Sequence, residues 1–152
     1  MTLTYESLES ELIEVLQANR IWILATSLGG KTTARAVSVI NSGTTIYFQT
    51  WNMSEKYQQM MGNPNVALSY SNASIEGVAQ GIGHWDRAEN TEIMQKYIDV
   101  HRGSFERYGK REDEVVIQII PTRAKFWKYI DGKPHIDLLL IQEREATRTA
   151  FV

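Results

Sequence analysis

The 152-residue chain contains no cysteine, which excludes disulfides, thiolate nucleophiles and cysteine-ligated metal together. It has only 3 prolines, and no segment approaches the ~20 consecutive apolar residues needed to span a bilayer. It also lacks an excess of positive charge: 16 Lys and Arg stand against 18 Asp and Glu, a formal charge of −2. A nucleic-acid binder needs a basic stripe to displace counterions, so nucleic acid is not an expected partner. The first residues, MTLTYESLESELIEVL, carry acids and no basic n-region, so a cytoplasmic protein with no membrane partner is expected. His84, His101 and His135 are scattered without H-x-H or HExxH spacing, so no metal site is expected. No G-x-S-x-G context frames a nucleophilic serine, and the sequence names no catalytic residue.

What is present is an ordinary globular balance, 43% hydrophobic and 22% charged, enough for one domain over residues 1–152. Leu8, Leu12, Val15 and Leu16 recur at helical spacing behind a Thr4 cap, predicting a helix over Tyr5–Ala18 with Leu3 and Leu8 stapled across the cap. Strands are predicted over Arg20–Ser27, Thr32–Ile40 and Thr45–Thr50, separated by Gly-containing turns. Ser54–Met61 reads as a short helix stopped by Gly62 and Asn63-Pro64. Strands resume over Val66–Ser71 and Ile75–His84, where Gly77, Gly81 and Gly83 suggest bends or close backbone approach. A helix over Glu89–Val100, a charged connection over Glu106–Glu114, and strands Val115–Ile120 and Ala124–Tyr129 around Pro121 follow. Periodicity leaves IDLLLIQEREATRTAFV open between strand and helix. The pattern predicts an antiparallel six-stranded β-barrel with short helices.

One feature of the second strand calls for chemistry. Side chains alternate along a strand, so Arg35 shares a face with Val37 and Val39. Lys56 falls in the first turn of the Ser54–Met61 helix, beside that helix's free backbone N–H groups. An arginine fork, a lysine, the Ser54 hydroxyl and a helix N-terminus together can hold a phosphate. The same spacing fits two solvated surface cations equally well.

The segments ANRIWILATSLGG, ARAVSVI, TIYFQTWNMSEKYQQMMGNPNVALSY, VAQGIG and VIQIIPTRAKFWK, in that order, resemble the pyridoxamine 5′-phosphate oxidase-like family of FMN-binding split β-barrels. The resemblance runs from about Ala18 to Tyr129. It implies that Arg35 and Lys56 bind the FMN phosphate, with Ser54 adding a hydroxyl. It further implies that Ala36, Val37 and Ser38 line the isoalloxazine and ribityl chain, and that Gln49 and Thr50 meet the ring. Trp127 is implied to reach the flavin from the other subunit of a homodimer. The implied activity is that of a flavin-dependent oxidoreductase using a small-molecule substrate or NAD(P)H. A non-catalytic flavin carrier or sensor, and a reductase using the deazaflavin F420, are the alternatives. Three departures stand out: Ile40 replaces a substrate-phosphate lysine, Lys133-Pro134-His135 replaces an Arg-x-His pair, and Glu76 replaces a phosphate-binding glutamine. True pyridoxamine-phosphate oxidation is therefore not expected.

Overall fold

In the computed structural model, which describes residues 3–151, the first helix starts at its sequence cap. Ser7 N donates to Thr4 Oγ1 at 3.0 Å, and Thr4 N donates back to Ser7 Oγ at 3.1 Å. These reciprocal bonds satisfy two donors that would otherwise be orphaned at a helix start. The helix α1 (Tyr5–Ala18) then buries Tyr5, Leu8, Leu12 and Leu16, one stripe at 3.6-residue spacing. Leu3 packs on the same apolar cluster.

Strands β1 (Ile21–Leu28) and β2 (Lys31–Ser38) pair along their whole length, from Ile21 opposite Ser38 to Leu28 opposite Lys31. Their turn is Gly29-Gly30, with φ of +59° and +82°, the left-handed pair that a two-residue hairpin turn requires. The sequence predicts one strand from Thr32 to Ile40, but the chain changes partners inside it. The fully buried Val39 donates its N–H to Arg20 O at 2.9 Å. Beyond it, β3 (Ile40–Ser42) leaves β1 and pairs with β4 (Thr45–Trp51).

The consequence is topological. The strand order is β2-β1-β5-β6-β7-β4-β3, so its two ends are consecutive in the chain. The barrel is closed by the covalent link at Val39 and not by a ladder between β2 and β3. Among the described residues the outer edge of β2 has no strand partner, which leaves backbone donors and acceptors beside Arg35 outside any ladder.

After β4 comes α2 (Glu55–Gly62), capped by Ser54, then β5 (Asn65–Tyr70) and β6 (Ala73–Gly81). The two strands predicted around Pro121 are one continuous strand, β7 (Glu114–Ile130), with a bulge against Glu76/Gly77. Proline supplies no N–H to a ladder, and a bulge is where a sheet tolerates it. Opposite lies Gly77, where a Cβ would meet Ile119 Cγ2 at 2.8 Å and Ile120 O at 2.9 Å. That glycine is required by close backbone approach.

The helix predicted over Glu89–Val100 is α3 (Thr91–Ser104), kinked at His101, whose φ and ψ are −126° and 50°. The expected charged connection begins instead with a wide helical turn, Phe105–Gly109. Phe105 holds it there by packing on the cluster of Ile40, Tyr47, Trp85, Tyr97 and Val116.

The open C-terminal segment is a hairpin, β8 (Lys133–Leu140) and β9 (Glu145–Ala150), laid on β7. At its centre Asp137 is fully buried. Arg148 donates to it twice, at 2.7 and 2.8 Å, and Lys128 once, at 2.7 Å. Lys128 also donates to Glu11 of α1 at 2.7 Å, so the network ties helix to sheet. Of the seven strand segments read from the sequence, the two around Pro121 merge and the second divides in two, and the tail adds two more, so the expected six-stranded barrel is a sheet of nine strands.

Candidate functional site

Arg35 lies on the inward face of β2, in phase with the buried Val37 as alternation predicts, and is itself only partly buried. Its guanidinium donates to Thr26 Oγ1 at 2.7 Å and to Leu24 O at 3.3 Å, and also to Thr33 Oγ1. Thr26 and Thr33 in turn donate to Oε1 of the buried Gln59 on α2, at 2.5 and 2.7 Å. This polar cluster fixes the arginine in place and docks the helix against β1 and β2. Glu55, in the first turn of α2, comes within 4.0 Å of Arg35 and accepts from Lys31 at 3.0 Å.

Lys56 projects from the same turn into a cavity of about 450 Å³, shared with Thr50, Ser54, Tyr108, Arg111 and Glu114. That volume lies in the range of roughly 300–1,000 Å³ typical of small-molecule sites. Burial lowers the Lys56 pKa, and the nearby positive charge of Arg35 lowers it further. Arg35 stands close enough to disfavour the Lys56 charge, and an anion beside them would relieve that field. Among the described residues Lys56 makes no hydrogen bond and no ion pair. The Ser54 hydroxyl caps α2 by accepting from Tyr57 N at 3.2 Å, and it bonds the Thr50 hydroxyl at 2.8 Å.

The remaining predicted residues divide by position. Ala36 is exposed and Ser38 half-buried on the outer face of β2, while the Val37 side chain is buried in the core; Val37 offers a ligand only its backbone. Thr50 is buried at the cavity. The Gln49 amide is occupied within the chain, donating to Ser104 O at 3.0 Å and accepting from Trp85 Nε1 at 2.8 Å. Trp127, 41% exposed, stands near the end of β7 with its ring 4.9 Å from that of Phe151. Glu114 by the cavity begins that strand, on the order of 40 Å of strand path earlier. Within one chain Trp127 is not among the residues that line the Lys56 cavity.

The departures are equally plain. Ile40 is 1% exposed and packed among aromatic side chains. Glu76 points outward from β6, exposed, beside a separate shallow groove. His135 is turned back on the Lys133 carbonyl at 2.9 Å. No histidine lines the Lys56 cavity, and His84 commits both ring nitrogens, one to Asp86 N and one to Arg111 O. Among the described residues no cluster of acids and histidines could hold a metal ion.

Sequence reasoning missed Glu114. It is 6% exposed, lines the cavity, and has its pKa pushed up to about 7 by burial, against the pull of Arg111, Lys56 and His84. In a run reading KREDE it looked like one more solvated charge; only the phase of β7 could have singled it out, since Val116 two residues on is core.

Comparison with known proteins agrees with the fold. A family model described as pyridoxamine 5′-phosphate oxidase matches residues 8–128. Among solved structures, General Stress Protein 26 from Bacillus anthracis superposes with a TM-score of 0.64 at 18% identity, over 93% of this chain and 98% of that one. A pyridoxamine 5′-phosphate oxidase-related, FMN-binding protein from Nostoc punctiforme gives 0.63 at 12% identity, over all of both chains. The heme storage protein HutZ from Vibrio cholerae gives 0.64 at 13% identity, over 75% and 89%. At these identities the likeness is one of fold. No curated protein matches the sequence.

Proposed function

The chain belongs to the pyridoxamine 5′-phosphate oxidase family, matched over residues 8–128, and on that premise we propose that it is an FMN-binding flavoprotein acting as an oxidoreductase in a homodimer. The observation that carries this reading is the convergence of Arg35 and Lys56, two partly buried cations, beside the capped start of α2 and the unpaired edge of β2. A phosphate monoester fits that arrangement: Arg35 presents a planar fork, Lys56 a mobile point charge, and Ser54 and Thr50 hydroxyls.

The rest of the flavin has a place consistent with the sheet. Ala36 and Ser38 stand on the outer face of β2, opposite the exposed Ile23 and Ile21 of β1. That makes a flat, mostly apolar floor bordered by free backbone donors and acceptors, which is what an isoalloxazine ring asks of a protein. A second copy packed on this floor would cover the ring and could bring its own Trp127 to it. Hydride chemistry is the flavin's own when it is bound; the protein's part is to hold, orient and exclude water. The partner substrate is NAD(P)H or another small molecule. Pyridoxamine 5′-phosphate is not the substrate, because the buried Ile40 offers no charge for a second phosphate.

A haem-storage role, as in the Vibrio cholerae neighbour, gains no support from the cavity, which has no histidine in its lining. The visible spectrum of the purified protein tests the cofactor. Oxidised FMN retained through gel filtration supports the reading, whereas a deazaflavin spectrum or a Soret band would replace it. Turnover with NADH or NADPH then separates an enzyme from a flavin carrier.

A further inference from the structure

Among the described residues the Glu114 side chain has no hydrogen-bond or ion-pair partner. Its backbone N–H donates to Arg111 O at 3.1 Å, but its carboxyl takes no hydrogen bond from any described residue, although the residue is only 6% exposed. No side-chain oxygen or nitrogen of the described residues is both fully shielded from solvent and unpartnered, so the Glu114 carboxyl, in the lining of the cavity of about 450 Å³, keeps contact with solvent there. Lys56, also unpartnered, lines the same cavity, and the two form no ion pair within 4.0 Å. A cavity with an unpaired ammonium and an unpaired carboxyl in its lining offers both groups to a ligand that displaces solvent from it.

We propose that Glu114 is a specificity-determining residue of this cavity, which takes up a phosphate monoester together with one proton. The proposal rests on the FMN reading and adds a regulator to it. A neutral Glu114 has an O–H that donates to a phosphate oxygen, while Lys56 supplies charge from the other side. An ionised Glu114 is acceptor-only and repels the same oxygen. The proton comes from solvent and stays on Glu114; no bond to the ligand forms or breaks.

Burial sets the protonation of this carboxyl against the pull of the cations around it. Lys56 faces Glu114 from α2, Arg111 and Asp113 from the turn before β7, His84 from the loop after β6, and Tyr97 from α3. Arg111, the nearest compensating cation by chain position, is already drawn to Asp113 at 3.3 Å. Burial therefore dominates, and Glu114 titrates at about 7. A bound dianion would raise that value further, so above neutrality binding must draw in a proton.

Calorimetric titration of FMN into the full-length protein at pH 8, in buffers of differing ionisation enthalpy, counts that proton directly. The phosphate is already dianionic there, its second pKa being about 6. The proposal expects uptake approaching one proton, an FMN Kd that weakens about tenfold between pH 7 and 8.5, and a riboflavin Kd that does not move. Glu114→Gln, checked by circular dichroism, should bind FMN with no proton uptake and a flat pH profile. FMN binding by wild type with no uptake and no pH dependence overturns the proposal and leaves the cofactor reading standing. So does a folded Glu114→Gln that still takes up the proton. Failure of wild type to bind FMN at all removes both.

Discussion

Arg35 Nη2 lies 4.0 Å from Glu55 Oε1, while Glu55 Oε2 is held at 3.0 Å by Lys31. The arginine assigned to a phosphate thus already has a carboxylate at its side. Glu55 is half exposed and Lys31 more so, so the pair is mobile, solvent-screened and weak. It nonetheless places a negative charge where another anion is to bind. Glu55→Gln is expected to tighten FMN binding by about threefold, with the gain fading as salt rises through a Debye length of ~8 Å. Equal or weaker binding in the variant, measured by flavin fluorescence at low salt, would show that Glu55 turns aside at no cost or helps the site.

Asp137 is the opposite case, a carboxylate with every neighbour a donor. Burial alone would raise its pKa, but the bonds from Arg148 and Lys128 outweigh that and hold it below the usual carboxylate range. A depressed native pKa stabilises the fold above the ordinary value of 3.8, and that contribution is lost as the pH falls below it. Asp137→Asn keeps the shape but leaves Arg148 without its carboxylate and Lys128 with Glu11 alone, at a cost of roughly 3 kcal/mol. The melting temperature should drop by about 10 °C at neutral pH, with the difference from wild type shrinking in acid. A shift of a degree or two would mean that Arg148 and Lys128 find water as readily as they find Asp137.

The outer face of β1 predicts how copies meet. Ile21 and Ile23 are 50% and 46% exposed, and they stand opposite Ser38 and Ala36 of the candidate ring floor. Apolar side chains gathered on one sheet face beside a site are what a twofold interface covers. Sedimentation of wild type at micromolar concentration should give a dimer, and Ile23→Glu should shift it to monomer and weaken FMN binding with it. A monomeric wild type that still retains FMN would place the whole site within one chain.

How much of this the sequence shows depends on what each residue type signals. The Thr4 cap and leucine stripe define α1 to the residue, because capping and periodicity are local. Arg35 and Lys56 stand out as cations in strand and helix-start contexts, and their proximity follows from the order of elements. Val39 does not announce that the chain switches partners there, since a buried valine suits a continuous strand as well as a corner. The tail stays open for the same reason: DLLL fits either period, and what selects a hairpin is Asp137 meeting Lys128 and Arg148, a pairing between distant residues. Glu114 is hidden by its charged neighbours until β7 turns it inward.

The central claim, that Arg35 and Lys56 hold a cofactor phosphate, is tested most directly by comparing two ligands that differ only in that group. FMN and riboflavin are titrated into wild type, Arg35→Ala and Lys56→Ala, each shown to be folded by circular dichroism. A charge-assisted hydrogen bond contributes roughly 1.5–3 kcal/mol, so either variant should bind FMN about ten- to a hundredfold more weakly while riboflavin affinity barely moves. Variants that bind FMN as wild type does, or that lose riboflavin as steeply as FMN, would contradict the assignment and leave Arg35 as a clamp on Thr26 and Thr33 alone.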